Sequence, residues 1–466
     1  MAKKKSGKPH ISFPESLIVI ICILLILGYL IIIKAQSPQV PLFFSVILLM
    51  FYGFIRGFSW EVIMDGIEEG IKPGIIPLVI FLMIGILIAT WIYAGTIPTI
   101  MYFGFKLISI KFFLPTVFVT CSLIALVCGS SFTTISTLGI AFMGIGETLG
   151  ISPGLTAGAI VSGAFFGANV SPLSGTANLA AAIGDVDLYD HIKSLIWTDL
   201  PAWLISIVIY FITGLNHGNA NLKMIISMSN ELQNNFWISW WVLLPVILLL
   251  VTAWLKMPAV PSLAFGAILA IVIGWIHKPI GINRLASYIM NGYVAHTGNA
   301  NMDTLLSKGG ISSMLSSLSL IIFALILGGL LINYGIIKSL IIGIEKFINS
   351  AGKLIFATAI TCIGVNILVG EQYLSIILPG ESFKESFKNR SLPSTYFTRV
   401  LSDAGGAVNA IVPWSVSGVF ISGALQINPF KYIPFAFFPI IVAILTILIG
   451  FILSHKDKRS KINSMR

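Results

Sequence analysis

The chain has 466 residues, 56% of them hydrophobic and only 10% charged, where a soluble domain carries about 25% charged residues. That balance excludes an ordinary soluble fold and points to a polytopic membrane protein. The net charge of +10 does not indicate nucleic acid, because Lys3, Lys4, Lys5 and Lys8 cluster near one end and Lys456, Lys458, Arg459, Lys461 and Arg466 near the other, which is the positive-inside signature of cytoplasmic termini over residues 1–15 and 454–466.

Apolar runs of about 20 residues cross the hydrocarbon. In chain order the candidates are 16–34, 41–55, 74–103, 112–128 with a polar continuation, 154–184 and 196–214. After a linker at 215–236 come 238–254, 259–276, 314–335, 354–378, 396–424 and 432–453. The first run, Leu17 to Ile33, follows basic residues as a signal peptide would, but it is too long for one and Lys34 follows without a small-residue cleavage pattern, so an uncleaved first helix is expected. Cys22, Cys121, Cys128 and Cys362 all fall in apolar runs and read as small buried hydrophobes, with no metal-type spacing. Between the second and third runs, Arg56 to Lys72 reads as an interfacial amphipathic helix that braces the bundle, with Asp65, Glu68 and Glu69 on its solvated face.

The 215–236 linker reads as a loop whose only basic residue is Lys223, which places it outside. With the N-terminus inside, the first half then crosses an odd number of times, so one of its segments turns back. Lys384, Lys388 and Arg390 in the 379–395 loop favour the inside and hence a re-entrant hairpin at 354–378, with its counterpart ending around Gly129 to Thr137. The fold class expected is an all-α polytopic membrane protein of two inverted repeats, 16–214 and 237–453, with about 10 crossings plus re-entrant or broken helices. Asn283 to Ser313 reads as the longer counterpart of Arg56 to Lys72, largely loop, and Asp185, Asp187, Asp190 and His191 as a solvated polar linker.

The repeat is visible in one spacing. SGAFFGANVSPLSGTAN, from Ser162 to Asn178, interrupts an apolar run with glycines, a proline and polar residues. At a spacing of 241 residues, Pro172 falls on Pro413, Ser174 on Ser415, Thr176 on Ser417, Cys121 on Cys362, Gly129 on Gly370 and Tyr93 on Tyr334. An earlier pair, IMDG (Ile63 to Gly66) and IMNG (Ile289 to Gly292), matches at 226, which places an insertion in the second copy. Non-helical backbone at membrane depth is tolerated only where protein or a wet cavity satisfies it, and paired interrupted segments point to the site of a secondary transporter.

Four such segments are expected to converge: Gly129 to Thr137, Ser162 to Asn178, Gly370 to Tyr373 and Asp403 to Gly418. They supply hydroxyls, amides and unwound carbonyls, the ligand set of a dehydrated alkali cation. The candidate binding residues are Ser131, Thr133, Asn169, Ser171, Ser174, Thr176, Asn178, Glu371, Asp403, Asn409, Ser415 and Ser417, with Na+ placed at Asp403 and Asn169. Gly158, Ala159, Gly163 and Ala164 read as helix-packing residues. Asp403 is the leading ionisable candidate, with Arg399 four residues earlier as its charge partner on one helical face; the other reading of that pair is structural. No HExxH, glycine-rich nucleotide loop, acid–base dyad or cofactor signature appears, which leaves an intramembrane enzyme without support.

The sequence resembles the NhaC-type sodium/proton antiporters of the ion transporter superfamily, which also contain malate/lactate exchangers and amino-acid transporters. The likeness is carried by Gly144 to Gly167, Ser171 to Ala182, Asp187 to Ile192, Gly370 to Gly380 and Val412 to Gly418. It implies an inverted-repeat fold and exchange of a cation for protons or a small solute. The chain departs from that family where Ala168 and Asn169 replace an Asp–Lys pair, Gly175 an Asp and Ser402 a Glu, while Asp403 matches; each lost carboxylate removes a proton site. The leading expectation is a sodium/proton antiporter of the cytoplasmic membrane, working by alternating access with Na+ and H+ as its partners and no cofactor. The alternative is a cation-coupled transporter or exchanger of an amino acid or small carboxylate, and a passive channel or membrane sensor comes third. Self-association is left open.

Overall fold

The computed structural model describes residues 9, 11–34, 36–107, 110–215, 222–255, 257–346 and 348–464. Lys3, Lys4, Lys5, Lys8 and Arg466 lie outside them. Every regular element among the described residues is helical. The first half comprises α1 (Phe13–Gly28), α2 (Gln39–Ile55), α3 (Trp60–Ile71), α4 (Ile75–Ala94), α5 (Thr96–Leu107), α6 (Phe113–Cys128), α7 (Ser131–Thr134), α8 (Ile140–Thr148), α9 (Pro153–Asn169), α10 (Gly175–Ile183), α11 (Leu188–Leu215) and α12 (Leu222–Asn235). The second comprises α13 (Leu244–Trp254), α14 (Ala259–His277), α15 (Ile282–Asn291), α16 (Ala300–Leu306), α17 (Ile311–Asn333), α18 (Ile336–Glu345), α19 (Ala351–Val369), α20 (Leu374–Asn389), α21 (Ser394–Val400), α22 (Val416–Leu425), α23 (Pro429–Tyr432) and α24 (Phe437–Ser464).

Among the described residues six helices are long and apolar enough to cross a membrane, and the number rises to nine if each of three bent pairs is one span. The protein is thus a multi-pass, all-helical membrane protein. The element boundaries repeat at the 241-residue spacing: α6 ends at Cys128 and α19 at Val369, α9 starts at Pro153 and α21 at Ser394, α10 starts at Gly175 and α22 at Val416.

Local chemistry sets these breaks. Both α6 and α19 stop at a glycine in the left-handed region, Gly129 at φ 68° and Gly370 at φ 74°, the usual helix C-terminal device. α9 starts with Pro153 behind Ser152, whose side chain accepts from the Leu155 amide. Pro172 and Pro413, which lack an amide hydrogen, fall in the breaks that follow α9 and the π/3-10 continuation of α21. α9 lies close against α6 through Gly163 and Gly167: a Cβ at Gly163 would sit 2.3 Å from the Phe118 carbonyl oxygen. That is the small-residue approach that helices use in membranes, as read for Gly158 to Ala164.

Several expectations are corrected. The 215–236 linker is not a loop throughout, because Leu222–Asn235 is helical and buries Met228 and Leu232, one turn apart. Asn283 to Ser313 contains two helices; α16 forms because the Asn299 side chain accepts from the Met302 amide and Asp303 accepts from the Thr297 amide and hydroxyl. α3 forms as expected but runs on through a 3-10 turn into α4, as one apolar stretch from Trp60 to Ala94; it packs along α17, where a Cβ at Gly70 would lie 2.5 Å from the Leu325 carbonyl oxygen. Cys121, Cys128 and Cys362 are buried, whereas Cys22 faces outward. His191 is not solvated but fully buried.

Candidate functional site

A cavity of about 100 Å³ lies where the four interrupted segments meet. Gly129 to Phe132 line it from the α6–α7 break, Ala168 and Asn169 from the end of α9, Ser174 to Thr176 from the start of α10, Gln372 and Tyr373 from the α19–α20 break, and Gly406 and Ala407 from the second half. A further cavity of about 370 Å³ shares Gly129 and Ser130 as lining and adds Thr133, Pro172 and Asn178. A Cβ at Gly129 would lie 2.6 Å from the Leu173 carbonyl carbon, so the two breaks of the first half touch between these cavities.

Behind the cavity wall is a buried charged cluster. The Asn169 amide donates to Asp199 Oδ2 at 2.8 Å and to Asp403 Oδ1 at 3.3 Å. Asp199 and Asp403 are both 0% exposed, Arg399 1% and Asn169 4%. Asp199 Oδ1, Asp403 Oδ2 and the Arg399 Nε and Nη2 atoms have no hydrogen-bond partner. Arg399 lies within electrostatic reach of both carboxylates, but the expected ion pair with Asp403 is not among those formed by the described residues. Asp403 sits in a π-helical turn, Leu401–Gly406, that continues α21. The guanidinium rests instead over the Tyr396 ring, 5.1 Å from its centroid.

Asp199 is not among the residues that the sequence singles out. It comes from α11, one face of which forms a polar seam with α21 and the π-turn. His191 pairs with Thr398 Oγ1 at 2.9 Å and Ser402 Oγ at 3.2 Å, and Ser194 donates to the Thr395 carbonyl at 3.0 Å. The available signal was a lone carboxylate within an apolar run, which by itself marks a functional candidate.

The remaining candidates divide by what their polar atoms do. Ser131, Asn169, Ser174 and Thr176 line the cavity, and Ser174 and Thr176 pair their hydroxyls at 2.9 Å. Thr133 and Asn178 line the adjoining cavity; Thr133 bonds Ser130 Oγ at 3.0 Å, and Asn178 donates to the Pro172 and Ser174 carbonyls. Ser171 donates to the Leu126 carbonyl at 2.7 Å. Asn409 donates to Asn366 Oδ1 and accepts from the Ser417 amide, while Ser415 donates to the Asn409 carbonyl at 2.6 Å and accepts from the Gly418 amide. Glu371 accepts from the Leu374 amide at 2.7 Å, at the start of α20. These last four therefore satisfy backbone groups or amides that a broken helix leaves without intrahelical partners. Ser417 is buried with its hydroxyl unpartnered.

A family model for the Na+/H+ antiporter family matches residues 163–452, a range that holds Asn169, Asp199, Arg399 and Asp403. The chain belongs to the Na+/H+ antiporter family. It is 36% identical to the Na(+)/H(+) antiporter NhaC of Alkalihalophilus pseudofirmus over 89% of this chain and 90% of that protein. It is also 36% identical to the Na(+)/H(+) antiporter NhaC of Bacillus subtilis, over 96% of this chain and 99% of that one. Within the same family, a malate-2H(+)/Na(+)-lactate antiporter of Bacillus subtilis is 32% identical over 89% of each chain. All three are antiporters by name, so the relatives are transporters and indicate no catalytic family.

Proposed function

We propose that the protein exchanges Na+ for H+ across the cytoplasmic membrane by alternating access. The observation that carries this reading is the pair of fully buried carboxylates, Asp199 and Asp403, bridged by Asn169 beside a polar cavity. Ionisable groups at membrane depth are costly and mark ion and proton pathways. Asp403 and Asn169, with the hydroxyls of Ser131, Ser174 and Thr176, offer the oxygen ligands a dehydrated alkali cation needs, and a carboxylate that releases Na+ can hold a proton in its place.

In this scheme residues 16–214 and 237–453 are repeats inverted in the membrane, with 1–15 and 454–466 cytoplasmic and 215–236 outside. The repeated boundaries of α6, α9 and α10 in α19, α21 and α22 and the placement of Lys and Arg support that arrangement. The test is purified protein in vesicles carrying a pH gradient: adding Na+ should discharge the gradient, and adding choline should not. A gradient that Na+ leaves untouched, with the protein inserted and folded, rules the antiport reading out.

A further inference from the structure

Asp199 and Arg399 deepen the antiport reading, on which this inference rests. We propose that Asp199 and Asp403 are a single exchange site with Arg399 as its fixed counter-charge, so that the cluster takes up either one Na+ or one H+ per cycle and the exchange is electroneutral.

Arg399, Asp199 and Asp403 are each at most 1% exposed, and taking uncompensated charge out of water costs several kcal/mol per ion even after relaxation. A guanidinium does not release its proton in a protein, so Arg399 contributes one permanent positive charge. Two ionised carboxylates against it leave one negative charge uncompensated. A single Na+ brings the cluster to neutrality, and so does a single H+ added to one carboxylate oxygen. Asp199 Oδ1 and Asp403 Oδ2, buried and without partners, are the atoms free to receive either. In the exchange, Na+ leaves as the proton binds, the proton leaves as Na+ binds, and no net charge crosses with the pair.

The surroundings do not alter this count. α9 and α10 carry no charged residue. On α11, His191 is engaged by Thr398 and Ser402, while Asp190 is exposed and pairs with Lys193 at 3.4 Å. The break before α20 contributes Glu371, whose carboxylate accepts from the Leu374 amide. α19 presents the neutral Asn366, which donates to the Ala404 and Gly405 carbonyls of the π-turn, and α24 presents Thr446. Tyr396 lies under the guanidinium. The Asn169 amide donates to both carboxylates at once, which fits a site whose carboxylates act together.

The experiment uses the full-length protein in proteoliposomes, with membrane potential set by K+ and valinomycin and internal pH followed by dye. Na+-driven proton movement should come to rest at a tenfold Na+ gradient per pH unit, at zero potential and at 100 mV alike. A cycle that moved one net charge would shift that resting point about 50-fold per 100 mV, and such a shift overturns the proposal. Proton movement that Na+ does not drive at all overturns the antiport reading and this inference with it, so the two failures are distinct.

Variants locate the charges. Asp199→Asn should lose at least tenfold in exchange rate because its cluster is neutral when empty; wild-type exchange by inserted protein overturns the role of Asp199. Arg399→Lys should keep the exchange insensitive to potential. Arg399→Gln, where it folds, should lose at least tenfold in exchange rate, because its cluster then needs two positive charges and neither one Na+ nor one H+ neutralises it. Potential-dependent exchange by a well-folded Arg399→Lys protein contradicts the counter-charge role. Asp190→Asn, on the same helix but exposed, should behave as wild type.

Discussion

Replacing Gly167 by Ala tests whether the close approach of α6 and α9 sets the site. The added methyl would lie 2.2 Å from the Ser122 carbonyl oxygen and 2.7 Å from both Ala125 Cβ and the Leu126 amide nitrogen. Carbon atoms in contact settle at about 3.5–4.0 Å, and two of these obstacles are backbone, so the helices must part locally by about 1 Å. Overpacking of this kind costs about 1–3 kcal/mol. The displacement reaches the site directly, because Asn169 is two residues further along α9 and Ser171 bonds the Leu126 carbonyl on the same turn of α6 at 2.7 Å. A misplacement of ~1 Å at a functional group can reduce a rate ~100-fold. Gly167→Ala protein should therefore insert, melt several degrees lower in detergent, and lose between ten- and a hundredfold in Na+/H+ exchange. Gly364→Ala in α19 is the control, since nothing lies within 4 Å of its Cβ position and Ala favours a helix by up to ~1 kcal/mol; it should melt no lower than wild type. Wild-type melting and exchange by Gly167→Ala, or equal damage by Gly364→Ala, would refute the reasoning.

Four other perturbations have defined outcomes. Tyr210→Phe removes a buried hydroxyl that bonds Ser162 Oγ at 2.8 Å and the Phe435 carbonyl at 2.7 Å; stability should fall by about 1–3 kcal/mol, read as a lower melting temperature with the exchange mechanism intact. Ser415→Ala removes the cap of α22 at the Gly418 amide and should cost about 0.5–2 kcal/mol, whereas Ser174→Ala should weaken apparent Na+ affinity with little change in melting. At the loop before α17, the amide and hydroxyl of Thr297 hold the Asp303 carboxyl below the usual carboxylate range. A depressed value means that the loop's stabilisation is present above about pH 4 and is lost as pH falls further, so hydrogen exchange at Thr297 should quicken only below that pH.

Much of the site was legible because broken helices have a local chemical cause. Gly129, Gly370, Pro172 and Pro413 stop helices by backbone conformation or by lacking a donor, and each break falls where those residues predict it. The polar residues around them were harder to sort. Ser171, Asn409, Ser415 and Glu371 look like ligands in the sequence, yet each uses its polar atoms on a neighbouring amide, carbonyl or side chain of a break, a distinction that depends on which groups the three-dimensional path leaves without partners. The Arg399 and Asp403 spacing suggested an ion pair, but the guanidinium lies over the Tyr396 ring and no such pair forms among the described residues. Asp199 stood alone in an apolar run with no interruption beside it except Pro201, and its partner lies 204 residues away at Asp403; only the packing of α11 against the π-turn brings them together. His191 looked solvated because it follows Asp185, Asp187 and Asp190, but one helical face turns it inward while those three remain exposed. The helix at Leu222–Asn235 was hidden by its polar composition; among its described side chains Met228 and Leu232 are the buried apolar ones.

The most direct test of the central claim is Na+-driven proton movement by Asp403→Asn protein in vesicles, with insertion and melting measured on the same preparation. The substitution keeps the shape of the side chain beside Asn169 and removes its charge. Folded protein that no longer couples Na+ to protons at any pH is the expected result. Sodium/proton exchange at the wild-type rate by such protein would contradict the assignment of the buried cluster as the site where Na+ and H+ compete.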